Sequence, residues 1–191
     1  MRALALALLL LPLAANAQVR AGIGVRIHSP SDTALGFGDA RTPGAPVTFS
    51  IPLDFSETVR VEPAVGLSRR SQKDGGAELT TTATTLGVTV SALVPTDGVT
   101  VTPGVRVRYT RLSAAPRGGP NPFRTSVNVL GIGPLVGGEY RFSERFRLGA
   151  EAGLEYQSFD YDSELNDARG TDNPTSNAIQ TTAAVSVRFF L

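Results

Sequence analysis

Few residues of this chain are placed to support catalysis. The sole histidine, His28, precedes Ser29 and lies near Ser31 and Asp32, so a hydroxyl nucleophile and a base could meet only there. Neighbouring residues of a strand point to opposite faces, however, which would separate His28 from Ser29. With one histidine and no cysteine, the chain excludes disulfides, thiolate chemistry and multi-histidine metal sites.

A second candidate is an acidic segment near the end of the chain. Its acidic residues are Asp160, Asp162, Glu164 and Asp167. The spacing is similar to the start of a calcium loop, but Leu165 and Thr171 stand where an EF-hand needs glycine and glutamate. The segment predicts a solvated acidic loop, with weak divalent-cation binding as the alternative. We expect no cofactor.

The elements that must position these residues are strands. In the first segment, Val19, Ile23 and Ile27 alternate with Arg20 and Arg26, and this period of two is typical of a strand with one apolar face. Seven further segments repeat the pattern, at about 47–55, 59–68, 80–94, 99–110, 129–142, 146–157 and 179–191. The chain therefore predicts an all-β fold of eight antiparallel strands.

The connections between the strands alternate in length. The short links are 56–58, 95–98 and 143–145, and the long polar ones are 29–45, 70–79, 112–125 and 158–176. An up-and-down meander would place every short turn at one end and every long loop at the other. This layout, with an even number of strands, is typical of an outer-membrane β-barrel.

The N-terminus carries the pattern of an export signal. Arg2 is followed by an apolar run over 3–11 and by the small-residue end Ala15-Asn16-Ala17. We interpret residues 1–17 as a signal peptide cleaved after Ala17 and residues 18–191 as the barrel. No later apolar run approaches the length of a membrane-spanning helix, so any membrane crossing would use strands.

The charged residues of the strands share the polar face. They are Arg20, Arg26, Asp54, Arg60, Glu62, Arg106, Arg108, Glu139, Arg141, Arg147, Glu151, Glu155 and Arg188. An eight-stranded interior is only wide enough for side chains to fill it, so these residues predict an ionic plug. Two alternatives remain: a narrow anion-favouring pore, and a soluble periplasmic barrel whose apolar face points inward.

Four prolines interrupt the predicted strands: Pro52, Pro63, Pro103 and Pro134. Because proline lacks the N–H that donates to a strand ladder, we expect bulges or breaks in pairing at these positions.

The export signal, the eight alternating segments and the ending Ala183-x-Val185-x-Val187-x-Phe189-x-Leu191 resemble the small outer-membrane β-barrel family that includes OmpX and the transmembrane domain of OmpA. Segment 133–143 looks like the sixth strand and turn of that family. The resemblance implies that Val185, Val187, Phe189 and Leu191 form the signal read by the barrel-assembly machinery. Members usually end in phenylalanine, whereas this chain ends in Leu191.

The resemblance also implies a Gram-negative outer-membrane protein with a structural or surface-interaction role. The expected partners are outer-membrane lipids, lipopolysaccharide, the assembly machinery and an unidentified surface ligand; we expect a monomer. The formal charge of +1 does not favour nucleic-acid binding. Some barrels of this class modify lipid A, but the His-x-Ser pair and following Glu of the deacylases have no match here. We therefore expect no enzyme and interpret His28 as a rim residue near the headgroups.

Overall fold

The computed structural model describes residues 19–28, 47–74, 77–117, 124–163 and 174–191. The signal-peptide prediction lies outside these ranges. The strands are β1 Val19–His28, β2 Val47–Ser50, β3 Leu53–Phe55, β4 Val59–Asp74, β5 Ala77–Ala92, β6 Val94–Pro95, β7 Val99–Arg117, β8 Thr125–Arg141, β9 Phe146–Ser163 and β10 Thr175–Phe190. Within these ranges, no helix has the length and apolar character to cross a membrane.

The strands form a closed antiparallel barrel, as the sequence predicts. β2 and β3 are two halves of one strand and β6 continues β5, so the ten segments make eight barrel strands. The last strand closes the barrel on the first, with Phe189 opposite Ile23 and Arg188 opposite Gly24. Phe189 also lies opposite Phe146 of β9, so the C-terminal strand has a partner on each side.

The two faces of the barrel are the reverse of those in a water-soluble protein. Leu67 on β4 is 71% exposed and Ile23 on β1 is 59% exposed, whereas Arg60 and Glu62 are at most 2% exposed. A soluble barrel would bury the apolar face and hydrate the charges. The outward face is therefore suited to lipid, and the soluble alternative is wrong.

Aromatic rings border the apolar face at the turn end. The Tyr140 and Phe142 ring centroids are 4.8 Å apart, and Phe142 lies 5.6 Å from Phe146. At the loop end, Tyr109 and Tyr156 are exposed on the outward face. Such rings are typical of the two membrane interfaces.

The hairpins extend further than the alternation indicates. β4 and β5 stay paired up to Asp74 opposite Ala77, so the predicted polar loop at 70–79 is wrong. β7, β8, β9 and β10 likewise reach into the segments predicted as loops at 112–125 and 158–176. The segment 70–79 holds Arg70, Lys73, Asp74 and Glu78 and lacks the apolar alternation that marked the predicted strands.

The short turns lie where the sequence places them. Ser56 and Glu57 have φ angles of 51° and 57°, the positive values that a type I′ turn needs at both central residues, and the Thr58 N–H donates to the Phe55 carbonyl across the turn. Gly98 supplies the positive φ, 82°, of the next turn.

The prediction of pairing breaks at the four prolines is confirmed. Pro52 and Pro63 lie in one gap, between the pairs Ser50–Ala64 and Leu53–Val61. The register is the same on both sides of this gap, so it is a break and not a bulge.

The other two prolines also face gaps. Pro103 lies in the gap between the pairs Ser91–Gly104 and Val94–Val101, where β6 resumes the pairing with β7. Pro134 lies in the gap that follows Ile132 opposite Tyr156. Each proline thus costs local hydrogen bonds without shifting the register that positions the lumen side chains.

A close backbone approach at Gly133 accompanies the last gap. A Cβ atom at Gly133 would lie 1.8 Å from the carbonyl oxygen of Leu154, whereas one at Gly138 on the same strand would find its nearest neighbour, a Val99 methyl, at 3.6 Å. Only glycine fits at Gly133 without moving β9.

We predict that Gly133→Ala destabilises the barrel by about 1–3 kcal/mol, because the new methyl group must displace backbone. The matched control Gly138→Ala should stay close to wild type. Urea unfolding of the refolded protein in lipid measures both. Equal stability of the two variants would contradict the close approach.

Candidate functional site

The lumen contains the charged residues because period two directs every second side chain inward. At its centre, Arg188 of β10 lies between two carboxylates. Its Nη2 donates to Glu62 Oε2 at 2.9 Å, and its Nη1 donates to Glu139 Oε1 at 2.6 Å. Glu62 is on β4 and Glu139 on β8, so this arginine links three strands across the barrel.

A second arginine holds the turn end of the lumen. Arg60 donates through Nε to Asp54 Oδ1 and through Nη1 to Glu139 Oε1, both at 2.6 Å. Arg147 lies at 3.5 Å from Asp54 and 3.4 Å from Glu139. Asp54 and Glu139 therefore both bind Arg60 and Arg147, and Glu139 binds Arg188 in addition.

Towards the loop end, Arg26 continues the chain of ion pairs. It contacts Glu62 at 3.0 Å and Glu151 at 3.4 Å, and Glu151 also binds Arg106. Arg106 Nε donates to the Thr89 hydroxyl at 3.1 Å, which brings in β5.

We call the connected set the central ion-pair network. It consists of Arg26, Asp54, Arg60, Glu62, Arg106, Glu139, Arg147, Glu151 and Arg188. With Thr89 included, each of the eight barrel strands contributes a side chain. Charges removed from water need such partners, because an unpaired buried charge is costly.

A separate polar group lies closer to the loop end of the lumen than this network. Arg108 binds Glu155 at 2.6 Å, and the Gln157 amide donates to the same carboxylate at 2.7 Å. His28 Nε2 lies 3.1 Å from Thr48 Oγ1 and the imidazole is buried. The interpretation of His28 as a rim residue near the headgroups is wrong, because it faces the lumen; Ser29, Ser31 and Asp32 lie outside the described residues.

Phe190 closes the turn end and was absent from the predicted site. Its side chain is 0% exposed, and the guanidinium carbons of Arg147, Arg20 and Arg60 lie 4.6, 4.9 and 5.3 Å from the ring centroid. Cation–π attraction makes this ring a suitable base for the arginines. The alternation could have identified this residue, because Phe190 stands two positions after Arg188 and therefore shares the polar face with it.

Two serine hydroxyls that bind the charged side chains were also absent from the predicted site. Ser50 donates to Glu62 Oε1 at 2.6 Å, and Arg188 Nη1 donates to Ser186 Oγ at 2.8 Å. Both serines share the lumen face with the charges they contact.

On the wall formed by β7 to β10, the loop end of the lumen is apolar, which the alternation does not indicate. Val127, Val129 and Phe159 are buried together there. Leu112, Tyr161 and Ala178 pack against them. This wall of the interior thus changes from ionic to apolar along its length.

The structure leaves two predicted charges outside the ion pairs of the described residues. Arg141 is exposed at the turn end. Arg20 donates to the backbone carbonyl of Glu144 and stacks on Phe190. These departures arise because both residues lie near strand ends, where side chains can leave the lumen.

The remaining predicted sites lie outside the lumen. Val185, Val187, Phe189 and Leu191 are exposed on the outward side of the C-terminal end. Asp160 and Asp162 are exposed on β9, so this half of the predicted cation-binding loop is strand. Glu164 and Asp167 lie outside the described residues, and the described ones contain no cluster of three potential metal ligands.

Comparison with known families agrees with this inverted barrel. The family of the outer membrane protein beta-barrel domain matches residues 3–189. The chain belongs to this family. This outer-membrane barrel has no match among curated proteins.

Solved structures share its architecture at low sequence identity. A major outer membrane protein from Thermus thermophilus aligns with a TM-score of 0.54 and 13% identity, over 90% of this chain and 99% of that one. Ail, the attachment invasion locus protein of Yersinia pestis, gives 0.48 and 10% over 92% and 97%. CarO2 of Acinetobacter baumannii gives 0.43 and 15% over 91% and 100%. Only the first likeness bears on the fold.

We predict that Glu139→Gln lowers the free energy of unfolding by about 3–5 kcal/mol, because it leaves Arg60 and Arg188 buried with too little negative charge. Glu144→Gln, in an exposed turn, is the control and should change it by less than about 0.5 kcal/mol. Urea titration in lipid gives both values. If Glu139→Gln is as stable as the control, the network does not hold the barrel together.

Proposed function

We propose that this protein is a closed barrel with a structural or surface-interaction role in the outer membrane, whose lumen is plugged by the central ion-pair network. The observation that carries the proposal is that all eight barrel strands send side chains into one bonded cluster. A water-filled pore would instead leave lumen charges hydrated and apart.

Side chains at three heights support the plug. Phe190 fills the turn end, the network fills the centre, and the cluster around Val127 and Phe159 covers the β7–β10 wall at the loop end. An anion crossing the lumen would have to separate ion pairs and pass the apolar side chains of the β7–β10 wall. Both steps are costly, so a conducting path is disfavoured.

The environment of His28 argues against the lipid-modifying alternative. The imidazole contacts the Thr48 hydroxyl inside the lumen, whereas acyl chains would approach from the opposite face. A catalytic base must lie within reach of its substrate. His28 meets this requirement only if a substrate enters the barrel.

The length of the hairpins supports a role at the surface. The apolar outward positions of β4 end at Leu67, yet the β4–β5 ladder continues to Asp74. The β7–β8 and β9–β10 ladders also continue beyond the outward apolar residues of the strands, which we call the apolar belt. Paired backbone presents side chains rigidly to lipopolysaccharide, to other envelope components or to an external ligand.

Since β10 pairs with β1 of the same chain, the barrel needs no second copy to close, and we propose a monomer.

We predict no steady conductance from the purified protein in planar bilayers. A general porin inserted under the same conditions is the positive control. Heat-modifiable gel mobility of the same sample verifies that the barrel is folded. Large, stable current steps from folded protein would overturn the plug and favour the narrow pore.

We further propose that the mature chain begins at Gln18 after export. Intact mass of the outer-membrane fraction should correspond to residues 18–191. The paired change Ala15→Leu and Ala17→Leu should retain the longer form, because the cleavage site needs small side chains. A wild-type mass that includes residues 1–17 would exclude cleavage.

A further inference from the structure

The apolar belt ends at the same height on two nearby strands, each time at an arginine. On β4 the outward apolar positions run from Val59 to Leu67, and the next outward residue is Arg69. On β7 they end at Tyr109, and the next outward residue is Arg111. A membrane-spanning strand needs about 9–11 residues, so both arginines lie at the level of the headgroups.

Other strands carry uncharged residues at this height. The corresponding outward residues of β5, β8, β9 and β10 are Thr84, Asn128, Ser158 and Asn177. Asn128 accepts a hydrogen bond from the Tyr109 hydroxyl at 2.8 Å. Further up β9, Asp160 and Asp162 are exposed and would repel an anion. Positive charge at the loop-end edge of the belt, on the described strands, is therefore confined to one wall.

The two guanidinium groups are available. Arg69 and Arg111 are exposed, and within the described part of the chain neither has an ion-pair or hydrogen-bond partner. By contrast, Lys73, two outward positions beyond Arg69, lies opposite Glu78. Among the described residues, the arginine pair is thus the uncompensated positive charge nearest to the loop-end edge of the belt.

The sheet places the pair within reach of one headgroup. Arg69 lies opposite Thr82 and Arg111 opposite Thr84, on the two sides of β5. Strand spacings put their Cα atoms roughly 12 Å apart. Arginine binds phosphate oxygens through two parallel N–H groups, and the threonine hydroxyls between the pair add further donors.

We propose that Arg69 and Arg111 bind the phosphate groups of lipopolysaccharide in the outer leaflet. The inference rests on the proposed function, because it places the long hairpins outside the cell. A phosphorylated glycolipid fits both parts of the surface: its acyl chains lie against the belt below Leu67 and Tyr109, and its phosphates reach the guanidinium groups. The turn end carries aromatic rings on its outward face, and its exposed Arg141 and Arg145 provide a control for positive charge alone.

The test measures lipid A binding to the mature protein in nanodiscs of neutral phosphatidylcholine. The variant Arg69→Gln/Arg111→Gln should bind about 30-fold more weakly than wild type, roughly fivefold for each basic residue. Arg141→Gln/Arg145→Gln, at the turn end, is the matched control and should bind like wild type. Arg69→Lys/Arg111→Lys should bind more tightly than the glutamine variant, because the charge remains, but more weakly than wild type, because lysine lacks the paired N–H groups of arginine.

Each comparison can overturn the proposal. Equal affinity of the wild type and the Arg69→Gln/Arg111→Gln variant, or an equal loss in the control, would show that these arginines are not the site. Dephosphorylated lipid A that binds as well as the phosphorylated form would show apolar contact alone. Phosphatidylglycerol binding as tightly would show that any anionic headgroup suffices.

High salt should weaken wild-type binding in an independent measurement; no salt effect would contradict the proposal. A conducting barrel that binds lipid A would overturn the plug alone, whereas a silent barrel that fails to bind would overturn this site alone.

Discussion

The barrel depends on one electrostatic constraint, which is that charges inside a narrow lumen cannot keep their water. Eight strands enclose too little space for hydrated arginines and carboxylates side by side. The cost of dehydration is offset only if every charge meets a partner with good geometry. Arg188 shows how this is achieved, since it binds Glu62 and Glu139 and is buried beside both. The ring of Phe190 provides a surface on which three guanidinium groups stack in place of water.

This constraint also explains the tolerance of broken pairing. The gaps at Pro52, Pro103 and Pro134 remove ladder hydrogen bonds but leave the register unchanged. Because side-chain direction has a period of two, a one-residue slip would turn every lumen charge towards lipid. A break is therefore compatible with the network, whereas a bulge beside it would not be.

Much of the fold could be predicted because lipid and lumen impose opposite preferences on alternate residues. That contrast assigned Arg26, Arg60 and Glu62 to the interior and marked the short turns. It ends where the strands leave the membrane, so the sequence predicts a loop where the charged and polar continuation of β4 and β5 at 70–79 is strand. Contacts that depend on three-dimensional proximity could not be predicted either: nothing in the sequence pairs Phe190 with Arg20, or Val127 with Phe159. Arg141 had the right period, but its position at the strand end left it exposed.

The long separation in sequence between Glu62 and Arg188 has a consequence for the order of folding. The partners are 126 residues apart, and Arg188 is carried by the last strand. Until that strand docks on β1, Glu62 and Glu139 lack their shared cation, and the base of the lumen lacks Phe190. An incomplete barrel would thus hold unpaired charge next to lipid, so partly inserted states are penalised and closure is strongly cooperative. The same side chains that fill the finished interior would therefore keep the chain from stopping halfway into the bilayer.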